Sequence, residues 1–256
     1  TGHYARIKKE ANQYSLITGV DPSKDQSYVL FNLKQSQLSK MLLPVGEYSK
    51  VQIRDFAADN NLPVADKPDS QEICFIPNNN YKQYIQNRLS STSKGAIINT
   101  KGQRIGTHNG IEFYTIGQRR GLGIELKDKA FVTKIDQLTN TITIGSDADL
   151  MNSTAWVSNL NYISGVKPKE PFAATVKIRY KSPASTAVIQ PIKEGALVTF
   201  SRPQRAITPG QALVIYQNDH VVGGGFIDGT TIPEPSLQTS GRHGQNTIAS
   251  STVKQA

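Results

Sequence analysis

The spacing of apolar residues divides the chain into a mixed N-terminal region and a β-rich remainder. Within the first 80 residues the pattern predicts two strands and two helices, at 14–20, 27–33, 35–43 and 50–61. Ser49 is the expected N-cap of the second helix, in which Ile53, Phe56 and Ala57 share one face. A strand-like stretch at 73–76 follows, so this region is predicted to be mixed α/β.

After residue 95 the apolar residues alternate, which is typical of strands. A helix is predicted at 81–89, and four short strands follow it at 96–99, 112–116, 130–135 and 141–144. The next part of the chain predicts five strands, at 172–180, 186–191, 196–200, 212–216 and 220–227. Short strands interrupted by proline and glycine indicate a small barrel or a sandwich. Residues 233–256 are rich in Ser, Thr, Gln and Gly and are expected to form a disordered tail.

The positive charge is concentrated in the β-rich part of the chain. The 256 residues carry a formal net charge of +9, with a pI near 9.5. Residues 1–80 hold nine basic and nine acidic residues, residues 81–155 ten and six, and residues 156–232 eight and four. This distribution favours a polyanionic partner for the later modules, and ordinary solubility charge is the alternative. No run of roughly 18 apolar residues occurs, so no membrane partner is expected.

Cys74 is the single cysteine of the sequence and lies in the phrase DSQEICF. A single cysteine excludes an internal disulfide and a multi-cysteine zinc site, and it favours a reducing, cytoplasmic location. Its side chain is either a buried structural thiol or a nucleophile. The neighbouring carboxylates of Asp69 and Glu72 would raise the pKa of the thiol, so a reactive Cys74 needs cationic groups from elsewhere in the fold.

Four polar motifs are candidates for ligand contact, and each has a plain structural alternative. The opening TGHYAR places Gly2 beside His3, which suits close approach of a ligand to the backbone or simply a strand end. Lys24-Asp25-Gln26 is a polar loop or a solvated turn. GQRRG at 117–121 suits phosphate binding or a charged hairpin turn.

The fourth motif is Arg179-Tyr180-Lys181, which combines cations with a ring that could stack on a base. The sequence contains no GxxxxGK[ST] loop, no GxGxxG followed by a helix and no paired-histidine metal motif, so no metal site is expected. These residues by themselves predict a basic, multidomain α/β-plus-β protein of unknown activity.

A resemblance to a known family adds what the residue types leave open. TGHYAR, KDQSYVLFNLKQSQL, DKPDSQEICFI, KGQRIGTHNGIEFYTIGQRRGLGI and PGQALVIY occur in this order. Together they resemble the tRNA-specific 2-thiouridylase family over Thr1 to about Ile227. The resemblance implies a tRNA uridine 2-sulfurtransferase that thiolates the wobble uridine. It uses ATP with Mg²⁺ for adenylation and a cysteine persulfide for sulfur transfer.

The resemblance also implies roles for individual residues. Cys74 would carry the persulfide, and Gly2 would contact ATP. The residues implied to bind tRNA are His3, Lys24, Asp25, Gln26, Arg179, Tyr180 and Gln211. The implied partners are tRNA and a sulfur-donor protein such as a cysteine desulfurase or a persulfide relay protein.

The implied architecture has three domains. Residues 1–80 would be the C-terminal remnant of a PP-loop nucleotide-binding α/β domain, 81–152 a central β-rich tRNA-binding domain and 153–232 a C-terminal β-barrel, followed by the tail. The family's SGGxDS phosphate loop and its first catalytic cysteine are absent from this sequence. The chain alone is therefore expected to be inactive, and a catalytically inactive tRNA-binding fragment is the alternative function. A barrel that binds other polyanions is a third, weaker hypothesis.

Overall fold

The computed structural model describes residues 1–67, 76, 81–89, 92–124 and 128–231. Cys74, most of the strand predicted at 73–76 and the tail predicted at 233–256 lie outside these residues. The described helices are α1 (Gln35–Leu38), α2 (Lys50–Asp59) and α3 (Tyr81–Gln86). The described strands are β1 (Ala5–Glu10), β2 (Gln13–Thr18), β3 (Gly95–Asn99), β4 (Arg104–His108), β5 (Phe131–Asp136), β6 (Thr141–Gly145), β7 (Met151–Tyr162), β8 (Phe172–Lys177), β9 (Ser185–Ile192), β10 (Gly195–Arg205), β11 (Ala212–Gln217) and β12 (His220–Gly229).

Strands β7 to β12 form a closed antiparallel barrel. Around the ring the order is β7, β10, β9, β8, β11 and β12, and the pairing of β12 with β7 closes it. Alternate residues fill the interior: in β9, Ala187 and Ile189 are buried while Val188 between them is 48% exposed. The barrel, rather than the sandwich, is therefore correct. All five strands predicted in this part are present in the structure.

Strand β7 was not predicted, because MNSTAWVSNLNY lacks a regular alternation of apolar residues. Its backbone pairs with β10 on one side and with β12 on the other. Asn159 has a φ of +49°, a left-handed conformation that interrupts the alternation. Pairing with two neighbours therefore determines this strand, and local sequence does not.

The N-terminal segment packs against the outside of the barrel. Strand β11 sends Leu213 and Ile215 into the interior, whereas Val214 and Tyr216 face outward and are also buried. The outward pair lies in a second core that also contains Leu16, Tyr28, Leu30, Phe31, Leu38 and Leu43. Burial on both faces explains why ALVIY is continuously apolar. The hairpin β1–β2 extends this wall, with Ile17 paired to His220 of β12.

Consecutive glycines in β12 allow close packing on both faces of the strand. A Cβ at Gly223 would collide with the carbonyl oxygen of Asn161 in β7, and one at Gly224 would lie 2.7 Å from a ring carbon of Phe31. Gly223 therefore allows the close pairing of β12 with β7, and Gly224 allows the contact between the barrel and the N-terminal segment.

The central part of the chain forms a separate sheet in the order β4-β3-β6-β5. Its two inner strands, β3 and β6, run parallel, and the two outer strands are antiparallel to their neighbours. The buried side chains on which this sheet is built are Ile97, Leu122, Val132, Ile142 and Ile144. The predicted strands at 96–99, 130–135 and 141–144 are confirmed to within a few residues.

Several local predictions are wrong for identifiable reasons. The strand predicted at 27–33 is a 3-10 turn at Ser27–Leu30, because its buried residues recur at a spacing of three while Val29 is exposed. The strand predicted at 112–116 is a 3-10 turn at Ile111–Phe113, and β4 just before it was missed.

The predicted helices begin where expected but are shorter. Ser49 caps α2 as predicted, and its Oγ accepts the N–H of Gln52 at 3.2 Å. Ala57 is buried on this helix, whereas Phe56, predicted to share its face, is 63% exposed. No helix among the described residues is long and apolar enough to cross a bilayer.

Candidate nucleic-acid interface

The Lys24-Asp25-Gln26 loop is held firmly in place by its own side chains. Asp25 is 8% exposed, and its carboxylate accepts the N–H groups of Gly19 (3.0 Å) and Ser27 (3.1 Å) and the Ser27 hydroxyl (2.9 Å). Gln26 and Tyr4 exchange two hydrogen bonds, of 2.8 and 3.1 Å. The loop is therefore fixed next to the chain segment that carries His3.

The Arg179-Tyr180 pair meets this loop, although more than 150 residues separate the two in sequence. The Tyr180 ring lies 6.0 Å from that of Tyr28, centroid to centroid. Lys177, two residues before Arg179, places its Nζ 4.0 Å from the Asp25 carboxylate. The sequence motifs KDQ and RY thus form one surface at the contact between the N-terminal segment and the barrel.

The charges at this surface are partly shielded from water. Burial lowers the pKa of Arg179, and the nearby positive charge of Arg205 lowers it further. Burial raises the pKa of Tyr180, and Asp25 adds to that rise while Lys24 opposes it. Burial also raises the pKa of Tyr28 to about 12. Both tyrosines are therefore neutral hydrogen-bond donors at physiological pH.

Arg179 also connects the surface to the end of β10. Its guanidinium donates to the carbonyl of Ala206 and, at 3.4 Å, to that of Arg205. The Arg205 side chain donates from Nε to an Asp147 carboxylate oxygen at 2.8 Å and lies 4.8 Å above the Phe131 ring. Arg205 thereby bridges the barrel and the central sheet.

The GQRRG loop lies against this bridge. A Cβ at Gly117, which has a φ of +86°, would be 3.1 Å from the Cβ of Ala206 and 3.5 Å from a guanidinium nitrogen of Arg205. The two arginines that follow, Arg119 and Arg120, are exposed. We call Arg119, Arg120, Arg179 and Arg205 the arginine face.

Gln211 lies at the same end of the barrel. Strands β8 and β11 are antiparallel, with Lys177 opposite Val214, so the residue after β8 and the residue before β11 are close along the barrel axis. Gln211 is exposed, and its backbone is fixed by hydrogen bonds to Thr208 (3.2 Å) and Ile227 (2.9 Å). Its side chain therefore faces solvent beside the arginine face.

Gly2 and His3 are on the N-terminal side of the KDQ loop. A Cβ at Gly2 would have no atom within 4 Å, so the backbone there is open to a ligand. The Nδ1 of His3 is 2.7 Å from the Thr1 hydroxyl. These residues fit contact with a nucleotide at Gly2, but the sequence supplies no glycine-rich cradle for its phosphates.

The structure adds residues that the sequence analysis did not select. Ser27 and Lys177 hold the Asp25 carboxylate, and Arg205 forms the bridge to the central sheet. Alternation along the strand predicted at 172–180 could have indicated Lys177, because it places Lys177 and Arg179 on the same outward face. The described residues contain no group of three or more His, Cys, Asp or Glu side chains that could hold a metal ion.

Comparison with known domain families assigns all three parts of the chain. A tRNA methyl transferase HUP domain matches residues 1–78, a tRNA methyl transferase PRC-barrel domain residues 82–146 and an aminomethyltransferase beta-barrel domain residues 152–227. By fold, the protein therefore combines part of a HUP α/β domain, a small central β-rich domain and a C-terminal β-barrel, which confirms the predicted fold class.

Similar proteins define the family more narrowly. The chain is 46% identical over 233 residues to the tRNA-specific 2-thiouridylase MnmA of Heliobacterium modesticaldum, 44% identical over 232 residues to that of Carboxydothermus hydrogenoformans and 46% identical over 232 residues to that of Moorella thermoacetica. Each alignment covers 89% of this chain and 60, 64 and 65% of the relative, respectively. The chain belongs to the tRNA 2-thiouridylase family, and it spans about three-fifths of the length of these relatives.

Proposed function

We propose that this protein is a tRNA uridine 2-sulfurtransferase that replaces the C2 oxygen of the wobble uridine with sulfur. The names of its relatives and the cationic, aromatic surface at the KDQ loop support this proposal. Because the chain spans only part of those relatives, the activity of the whole protein is part of the proposal. Its tRNA substrate and its sulfur-donor protein are likewise part of the proposal.

The proposed chemistry assigns the transfer step to Cys74. Bound ATP, with Mg²⁺, would supply the adenylyl group that turns the uridine C2 oxygen into a leaving group. The terminal sulfur of a Cys74 persulfide would attack C2, and the C–O bond would break, releasing AMP together with the former C2 oxygen. A second thiolate would then attack the Cys74 Sγ, forming a disulfide and leaving the transferred sulfur on the base. The sequence has one cysteine, so this second thiol must come from outside these 256 residues.

The remaining site residues are proposed to position the tRNA. Arg119, Arg120 and Arg179 would contact phosphates, and the part-exposed ring of Tyr180 would stack on a base. The Asp25 carboxylate is occupied by protein donors, so we assign it the role of holding the loop that presents Lys24 and Gln26. His3 and Gln211 would contact RNA at the two margins of this surface.

The observation that carries the proposal is the meeting of the KDQ loop with the Arg179-Tyr180 pair. Two segments that the family resemblance implicates in tRNA contact are distant in sequence, yet they share the Asp25–Lys177 contact and the Tyr28–Tyr180 ring contact.

The first experiment measures tRNA binding by the chain and its Arg179→Ala variant over a series of salt concentrations. Loss of one phosphate contact should weaken binding roughly fivefold at about 0.15 M salt and reduce the log–log salt slope by about one. Arg202→Ala is the matched control, because Arg202 is an exposed arginine of the same barrel that forms no ion pair with the described residues. Equal losses in both variants would contradict a specific role for Arg179.

The second experiment follows sulfur itself. Incubation with a cysteine desulfurase and cysteine should add the mass of one sulfur atom to the chain, and Cys74→Ser should abolish the addition. Failure to load Cys74 would contradict its proposed role.

A third experiment tests activity. With ATP and tRNA, the chain alone should form no 2-thiouridine, because it lacks a phosphate loop; product formation would overturn that expectation. Since two matched domain families are named for methyl transfer, a methylated uridine made with a methyl donor would replace the proposal.

A further inference from the structure

A large cleft lies at the end of the barrel opposite the arginine face. Strand β10 begins at this cleft and ends at Arg205, which corresponds to about 30 Å of extended chain. The cleft has a volume of about 890 Å³ and lies between the start of α1, the end of β7 and the β9–β10 turn. Lys34, Lys167 and Lys193 line it, and we call it the lysine cleft.

The charge of the lysine cleft is positive and mostly uncompensated. Within the described part of the chain, neither Lys34 nor Lys193 has a carboxylate within ion-pair distance. The ammonium of Lys167 donates to the carbonyls of Ile192 (2.5 Å) and Lys193 (3.3 Å), which keeps its charge in place. Glu194 is the one acidic residue in the cleft wall, so the lining carries three cations and one anion.

We infer that the lysine cleft binds phosphate groups of the RNA backbone, as a second tRNA contact distant from the arginine face. The inference rests on the proposed function. An open cleft lined by separate ammonium groups suits the phosphates of a polymer better than a single small anion, which needs convergent donors. Two cationic sites at opposite ends of the barrel would fix the orientation of a long polyanion on it.

The test compares Lys34→Ala/Lys193→Ala with Lys9→Ala/Lys40→Ala, two exposed lysines of the N-terminal segment. Binding of unmodified tRNA is measured at several chloride concentrations. The cleft variant should bind roughly 25-fold more weakly at about 0.15 M salt and lose about two units of salt slope. An effect no larger than that of the control pair overturns the inference.

Two further results separate this inference from the proposed function. If the unaltered chain binds no tRNA, the proposed function fails. If it binds tRNA and the cleft variant binds equally well, only the lysine cleft assignment fails. Inorganic phosphate is titrated at constant ionic strength as a third arm. Tight phosphate binding that the cleft variant loses, together with unchanged tRNA affinity, would identify a small-anion site and refute RNA as the occupant.

Discussion

The barrel contacts its two neighbours by different physical means. The N-terminal segment shares a buried apolar core with the outward face of β11, and the Asp25 carboxylate is enclosed at the same contact. The central sheet instead meets the barrel at Arg205 and Ala206, where the ion pair of Arg205 with Asp147 has side chains 40 and 62% exposed. Buried apolar contact fixes an orientation strongly, whereas an exposed ion pair contributes little and is screened by salt.

This difference indicates where the RNA surface is rigid and where it can adjust. Arg179 and the KDQ loop belong to the apolar contact, so their relative positions are set by the core. Arg119 and Arg120 belong to the polar contact and follow the central sheet. Three measurements test whether the two contacts differ in this way, and they follow in order of decreasing effect.

Gly224→Ala should produce the largest loss of stability, because it acts on the apolar contact. The new Cβ would lie 2.7 Å from a ring carbon of Phe31 and 2.8 Å from the carbonyl oxygen of Leu213. Overpacking of this kind costs about 1–3 kcal/mol, measured as a lower urea midpoint of unfolding. Gly229→Ala in the same strand is the control, since its nearest neighbour would be 3.9 Å away. Similar losses of stability in the two variants would show that the contact between Gly224 and Phe31 has room for an added Cβ.

Tyr28→Phe should have an intermediate effect that depends on pH. The Tyr28 hydroxyl donates to the Ala212 carbonyl at 2.7 Å, so its removal should cost about 1 kcal/mol at neutral pH. Burial raises the pKa of Tyr28 to about 12 from an ordinary value of 10.0. The unfolded chain therefore loses this proton first, and the stabilisation present below about pH 10 is lost as the pH rises toward 12.

The measurement for Tyr28 is the free energy of unfolding as a function of alkaline pH. The unaltered chain should lose stability steeply above about pH 10, and Tyr28→Phe should lose it less steeply. Some slope should remain, because burial also raises the pKa of Tyr216. Tyr48→Phe, at a half-exposed tyrosine, is the control and should keep the full slope. An unchanged slope in Tyr28→Phe would contradict the burial of its hydroxyl in the apolar contact.

The smallest effect is expected at the polar contact. A double-mutant cycle with Arg205→Ala and Asp147→Ala should give a coupling energy below about 1 kcal/mol, because the pair is exposed. The coupling should vanish at about 1 M salt. A coupling above about 2 kcal/mol that survives high salt would mean that both contacts of the barrel are rigid.

Much of the architecture was predictable from sequence pattern. The alternation in β8, β9 and β10 predicts strands with one buried face, and Ser49 predicts the start of α2. The pattern failed where long-range contacts override local spacing: β7 has an irregular sequence but two pairing partners.

The residues of the candidate site could be predicted from the sequence, but their relative positions in space could not. The resemblance selected Asp25 and Arg179, but their spatial relation depends on the packing of the N-terminal segment on β11. No local sequence feature indicates that the Asp25 carboxylate is buried or that the Lys177 ammonium lies beside it. The lysine cleft cannot be predicted from the sequence, because Lys34, Lys167 and Lys193 lie on three separate segments that only the fold brings together.

The order of the modules, the strand-forming segments and the side chains able to carry charge or sulfur can be derived from the amino-acid sequence, because they follow from local periodicity and residue chemistry. Only the folded state brings the outward face of β11 against the N-terminal segment, places Gly224 of β12 beside Phe31 and gathers the cations of each site. These properties depend on contacts between residues far apart in the chain, and the free energy of such contacts is set by burial in the folded state.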